Sequence, residues 1–186
     1  MAADMAQRFG DNKLAEVISG KSVFRRTLEA IPAESFQKTV VVLNSPLFSG
    51  IVKEFHFTDI RNNQPEKGIS RTISLGLSAL LDCDGVLFCV ADQPMLQRFT
   101  ITSLIDFWKE DSAKIAALSY NGVRGNPCLF PARFFPALLA LTGDQGGSAV
   151  IRQHKNDLRL LEVHHPLELH DIDTPEQLRI LLDSIP

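Results

Sequence analysis

The chain has 186 residues, 45% of them hydrophobic and 22% charged, enough for one well-buried domain over residues 1–186 and too little for two ordinary ones. Nineteen Lys and Arg against 22 Asp and Glu leave a net charge of -3, which argues against bulk binding to nucleic acid. No apolar run of about 18 residues is present, so no membrane span is expected. The first predicted element is a helix, with Phe24, Thr27, Leu28 and Ile31 on one face and Pro32 behind it. The β-branched run Thr39–Asn44 ends in Ser-Pro and predicts a buried strand. Residues 54–60 alternate Phe55 and Phe57 with polar neighbours and predict another, running into a turn at Arg61–Pro65. Ile73, Leu77, Leu80 and Leu81 form a second helical stripe, followed by the unbroken apolar strand Gly85–Ala91. Ile101, Leu104, Ile105 and Trp108 mark a third helix, residues 114–120 a fourth strand, Phe134–Leu139 a fourth helix and residues 158–164 a fifth strand. The last helix carries Leu178, Leu181, Leu182 and Ile185, with Thr174 as its N-cap and Pro175 at the first position. This alternation predicts an α/β fold around a mostly parallel sheet.

In such sheets ligands bind beyond the carboxyl ends of the strands, which selects Asp92, Asn62, Asn63, Asp171 and Asp173 for chemistry. Asp92 ends an apolar strand, where a carboxylate needs a metal, a cation or a loop to cap. Asp171 and Asp173 lie two apart in an extended segment and so share a face. Two carboxylates from separate loops, completed by substrate phosphates, suit Mg²⁺, although Asp-Thr-Pro-Glu is also an ordinary helix start. The N-terminal segment Ala2–Leu14 sets Arg8, Gly10 and Lys13 among small residues, either as a phosphate-binding loop or as a tail with surface charges. Arg25, Arg26 and Lys21 add to the local positive charge. Cys83, Cys89 and Cys128 are odd in number with no Cys-x-x-Cys pair, so they read as small apolar residues of a reducing compartment. Residues 1–10 lack the apolar core of a secretory signal, and a cytoplasmic location is expected. His56, His154, His164, His165 and His170 show no metal-binding spacing and read as scattered structural or surface groups. The absence of a Gly-x-Ser-x-Gly elbow argues against a hydrolase triad.

Taken in order, the motifs resemble the MocA-type molybdenum cofactor cytidylyltransferases, within the MobA-like NTP transferase family. The family's LAAGxSxRMGxxK loop is similar to Ala2–Lys13. Its Asn-to-Gly segment is similar to Asn63–Gly68, with Ser70 and Thr72 behind it. Asp92-Gln93-Pro94 matches its acidic motif, Gly125–Phe130 its GHPxLF motif, Gly143–Gly146 its GDxG turn, and Asp171–Glu176 its DIDTPE close. The resemblance implies a Rossmann-like nucleotidyltransferase fold with helices on both faces of the sheet. It implies Mg²⁺-dependent transfer of CMP from CTP to the phosphate of molybdopterin, with a molybdenum hydroxylase as the possible client. Ala2, Ala3, Arg8, Gly10, Lys13, Asn63 and Gly68 would then bind nucleotide. Arg8, Lys13 and Asp92 would be catalytic, and Asp92 and Asp173 would hold the metal.

Departures from the family pattern are specific. Asp4 stands where the loop has Gly, Ala6 where it has Ser, and Phe9 where it has Met. Gly147-Ser148 replaces Ala-Arg after the GDxG turn, so a cation is expected to be lost there. The hydrophobic first strand that precedes the loop in the family is missing or truncated, which predicts a gap in the sheet beside the Gly85–Ala91 strand. Three other functions compete: a guanylyltransferase using GTP, a sugar-1-phosphate nucleotidyltransferase, and a non-catalytic carrier that binds nucleotide or cofactor for a molybdenum hydroxylase.

Overall fold

A computed structural model describes residues 13–183. A short antiparallel ribbon, β1 (Val17–Ile18) and β2 (Lys21–Ser22), turns through Ser19 and Gly20, both at positive φ. Helix α1 (Val23–Ala30) starts where the Ser22 hydroxyl accepts the Arg25 N–H at 3.2 Å, and it buries Phe24, Thr27 and Leu28 as their spacing requires. Next come β3 (Val40–Leu43), α2 (Ser49–Glu54) and β4 (Thr58–Arg61), with β3 and β4 parallel and Val40 opposite Thr58. The strand expected over 54–60 begins only at Thr58. The N–H groups of both Phe55 and Phe57 donate to the Val52 carbonyl, and His56 has φ +57°. The two Phe side chains therefore finish a helix and do not alternate across a strand.

Helix α3 (Ile69–Ser78), β5 (Gly85–Phe88), α4 (Arg98–Lys109), β6 (Ile115–Tyr120) and β7 (Val123–Pro131) follow. After them come α5 (Phe135–Leu139), α6 (Gly147–Gln153), β8 (Leu158–Glu162) and α7 (Pro175–Asp183). The larger sheet has the order β5-β7-β6-β8. It is mixed rather than mostly parallel, because β7 runs antiparallel to both β5 and β6 while β6 and β8 are parallel. The reversal is made by Asn121-Gly122, both at positive φ, the pair favoured in two-residue hairpin turns.

Strand β6 shows how the layers form. Ala116 and Leu118 face a core with Phe24, Leu28, Leu104 and Ile105. Ile115 and Ala117 face a second core with Ile73, Leu77, Leu138 and Val150. Alternate side chains thus meet α1 and α4 on one face and α3, α5 and α6 on the other. A third cluster, Ile18, Val23, Ile172 and Leu181, docks α7 against the ribbon and α1. Among the described residues β3 and β5 are not paired with each other. Between them lies a cleft of about 320 Å³, lined by Val40–Val42 on one side and Gly85–Ala91 on the other, with Thr27, Gly76 and Trp108.

Candidate functional site

The chain leaves β5 through Cys89, Val90 and Ala91, and the Ala91 carbonyl accepts the Thr27 hydroxyl at 3.0 Å, which ties this exit to α1. The next carbonyl, of Asp92, accepts the Ile172 N–H at 3.0 Å. Ile172 is fully buried in the third core cluster, so an apolar anchor brings the flanking Asp171 and Asp173 to the end of β5. Thr174 and Gln177 hold the start of α7. The Gln177 N–H donates to the Thr174 hydroxyl at 3.2 Å, while Gln177 Oε1 accepts the N–H groups of Asp173 and Thr174. This reciprocal cap fixes the backbone that carries Asp173.

Lys13 sits at the point where these segments meet. Its ammonium donates to Asp92 Oδ2 at 2.7 Å and to Asp173 Oδ1 at 3.1 Å. Lys13 is 4% and Asp92 9% exposed. Burial acts to lower the ammonium's pKa, but Asp92, and then Asp173, outweigh it and hold Lys13 above its ordinary value. Gln93 braces the cluster from below, its Nε2 donating to Asp171 Oδ1 at 2.8 Å and to the Leu169 carbonyl at 3.2 Å. Although Asp171 keeps an exposed edge, local desolvation of its carboxyl, and then the charge of Asp92, push it up to about 6.

Asp92 Oδ1 and Gln93 Oε1 are buried and have no hydrogen-bond partner among the described residues. A buried, unsatisfied carboxylate oxygen beside a second carboxylate is a donor set of hard oxygens, which fits Mg²⁺ or Mn²⁺. Among the described residues no group of three or more His, Cys, Asp and Glu converges as a metal site. A divalent ion held by Asp92 and Asp173 would complete its shell with further oxygens, such as those of substrate phosphates.

Gly68 caps the start of α3. Its φ is +80°, and a Cβ there would run into the Gly143 carbonyl group and Asp144. The Ser70 N–H donates to the Gly143 carbonyl at 3.1 Å, so the start of α3 rests on the Gly143–Gly146 turn. Asn63 is exposed, and its neighbour Asn62 is the one that shapes the loop. Asn62 Oδ1 accepts the Gln64 N–H at 3.0 Å and its Nδ2 donates to Thr72 Oγ1 at 3.3 Å. Of the residues singled out from sequence, Lys13, Asp92 and Asp173 converge, and Gly68 joins the Gly143 turn. Ala2, Ala3, Arg8 and Gly10 lie outside the described residues. Sequence reasoning missed Gln93 as the brace of Asp171, and also Arg124. A guanidinium from β7 does reach Gly147-Ser148, where Arg124 Nη2 donates to Ser148 Oγ at 2.7 Å.

An α/β sheet flanked by helices, with acidic and basic groups collected beyond the end of β5, puts a ligand site where such folds carry one. A family model described as the MobA-like NTP transferase domain matches residues 1–158, and the chain belongs to that family. Rv0371c of Mycobacterium tuberculosis H37Rv superposes with a TM-score of 0.81 at 22% identity, over 98% of this chain and 95% of that one. Its complex with manganese superposes at 0.74 and 20% identity, over 96% and 94% of the two chains. The molybdopterin-guanine dinucleotide biosynthesis protein A of Archaeoglobus fulgidus gives 0.70 at 14% identity, over 98% and 94%. The purine catabolism protein PucB of Bacillus subtilis (strain 168) is 26% identical over 189 residues, 95% of this chain and 91% of that protein. No helix among the described residues is long and apolar enough to cross a membrane.

Proposed function

We propose that this nucleotidyltransferase moves CMP from CTP to the phosphate of molybdopterin. The observation that carries the proposal is the convergence of Asp92 and Asp173 on Lys13, at 2.7 and 3.1 Å, beyond the carboxyl end of β5. In the transfer, an oxygen of the acceptor phosphate forms a bond to the α-phosphorus as the bond to the β-phosphate's bridging oxygen breaks, and pyrophosphate leaves with the electron pair. Little proton chemistry is required, so positioning and charge neutralisation supply the catalysis. Asp92 and Asp173 would hold a divalent cation, which when bound offsets charge on the reacting phosphates.

Lys13 keeps the two carboxylates neutralised and aimed at one point until nucleotide arrives. It then gives up those contacts and takes triphosphate oxygens in their place, together with Arg8. Backbone groups of Ala2, Ala3 and Gly10 would cradle the phosphates, and Asn63 and Gly68 would border the nucleotide or acceptor. The manganese complex of Rv0371c supports a divalent ion, and Mg²⁺ is the one we assign to this chain. The name of the Bacillus relative points to purine catabolism. It supports a molybdenum hydroxylase acting on a purine ring as the client, and a cytoplasmic location belongs to the same proposal.

A second reading, transfer of GMP from GTP, is favoured by the structural likeness to the Archaeoglobus protein, which is named for the guanine dinucleotide. Pyrophosphate release, measured with molybdopterin, Mg²⁺ and either CTP or GTP, tests both. Release with CTP alone supports the cytidylyl assignment, and release with GTP alone replaces it. Nucleotide binding without release by either would make the chain a carrier.

A further inference from the structure

Arg124 lies near the start of β7 and is partly buried. The guanidinium groups of Arg25, Arg98, Arg133 and Arg159 reach across the fold to Glu54, Glu34, Asp157 and Glu110. Arg124 reaches only neutral groups: Nη2 donates to Ser148 Oγ at 2.7 Å, and Nη1 lies 3.3 Å from Cys128 Sγ. No carboxylate partners it among the described residues. A partly buried cation loses much of its hydration, and a hydroxyl or thiol cannot return the missing countercharge. The hydroxyl can hold it still. Of the five donors on a guanidinium, Ser148 and Cys128 engage one each, which leaves a fork available to an anion.

The position of Arg124 in the sheet shows which anion it would meet. Phe88 of β5 is paired with Cys128 of β7, and the strands are antiparallel. Asp92 comes four residues after Phe88 and Arg124 four residues before Cys128, so both lie toward the same end of the β5–β7 pairing, Arg124 still within β7 and opposite Ser119 of β6. Lys13 serves Asp92 and Asp173 from the α7 side. Arg124 is anchored instead to Ser148, just past the Gly143–Gly146 turn that packs on Gly68. Among the described residues Lys13 thus sits on the carboxylate cluster, while Arg124 is held on Ser148 with no contact to those carboxylates.

We infer that Arg124 binds the anionic head of the acceptor, a phosphomonoester, and that Ser148 orients its guanidinium for that contact; this rests on the transferase reading above. Lys13 then serves the nucleotide and Arg124 the nucleophile, so the two negatively charged substrates meet without sharing a cation.

The test uses the full chain with Mg²⁺, CTP and molybdopterin, comparing wild type with Arg124→Ala, Arg124→Lys and Ser148→Ala. Arg124→Ala should raise the KM for molybdopterin about 10- to 100-fold, the loss of one charge-assisted contact, with the KM for CTP changed less than about twofold. Arg124→Lys should recover part of the loss, because the charge returns without the fork. Ser148→Ala should raise the same KM a few fold, because the guanidinium is less well oriented. Inorganic phosphate should compete with molybdopterin and not with CTP, and that competition should weaken in Arg124→Ala. Equilibrium binding of molybdopterin, followed by pterin fluorescence without CTP, reads the contact apart from turnover. Arg124-dependent binding by a wild-type protein that releases no pyrophosphate would sink the transferase reading and leave this inference standing. A folded Arg124→Ala variant that binds molybdopterin like wild type, or that loses affinity for CTP instead, would overturn it. So would a wild type that binds no molybdopterin.

Discussion

Replacing Lys13 by Met removes the ammonium from between two carboxylates while keeping most of the side-chain volume. Asp92 is 9% exposed, and its Oδ1 already lacks a partner among the described residues. Without Lys13 its Oδ2 loses the 2.7 Å contact too, leaving a buried charge with little compensation. Removing one member of a buried pair costs about 3–5 kcal/mol. The Asp173 contact adds little, since that carboxylate is half exposed and worth under about 1 kcal/mol. For a domain of this size 1 kcal/mol moves Tm by about 2–4 °C, so a fall of roughly 6–20 °C is expected.

The pH dependence has a definite sign. Lys13 is held above its unfolded value, so its contribution is fully present below that unfolded pKa and is lost only as pH rises through the folded one. The difference between Lys13→Met and wild type, measured by urea unfolding at pH 7, should therefore lie on the plateau of the Lys13 titration. Adding Asp92→Asn to Lys13→Met should restore at least half of the loss, because no unpaired charge then remains. Added Mg²⁺ should raise the Tm of Lys13→Met more than that of wild type, because the cation no longer competes with the ammonium. A Lys13→Met variant within about 1 kcal/mol of wild type at pH 7 would refute the role given to the pair.

Three further outcomes are expected. Gly68→Ala places a Cβ against Gly143 at φ +80°, so calorimetry should show a loss of about 2 kcal/mol or more; an unchanged Tm would mean that the α3–turn contact is loose. Burial pushes the Cys89 thiol up to about 12, and Cys128 is raised as well by burial. Alkylation at pH 8 should reach the more open Cys83 first and Cys89 only as pH climbs well above 10; equal rates at pH 8 would contradict this. Glu162 is held below the usual carboxylate range by the Ser119 hydroxyl and by the N–H groups of Gly122 and Asn121. It adds stability above its unfolded pKa that is lost as pH falls through the folded one. Glu162→Gln should flatten the acid side of the stability curve, and parallel curves for the two proteins would count against it.

Much of the layer structure can be read from local pattern. The β-branched run at 40–43 and the apolar runs at 85–88 and 115–120 become strands, and the stripes at 24–28 and 101–105 become buried helix faces. Strand β7 is masked by the motif residues Gly125–Phe130, although Asn121-Gly122 between apolar segments is a hairpin signal in its own right. Helix α2 is six residues long, too short for periodicity to separate it from the Phe-rich segment that follows. The site divides the same way. Beyond strand ends, topology alone selects Asp92, Asp171 and Asp173. Which groups touch does not follow from spacing, since Lys13 and Asp173 are separated by 160 positions. Gln93 and Arg124 gave no local signal, because their roles depend on partners 78 and 24 residues away.

The most direct test of the central claim is pyrophosphate release by the full chain with CTP, molybdopterin and Mg²⁺, compared between wild type and Asp92→Ala, with folding checked by circular dichroism. The account predicts release by wild type that requires all three additions, and its loss in a folded Asp92→Ala protein. Release that persists in Asp92→Ala would contradict the assignment of the Asp92–Asp173 cluster as the catalytic centre.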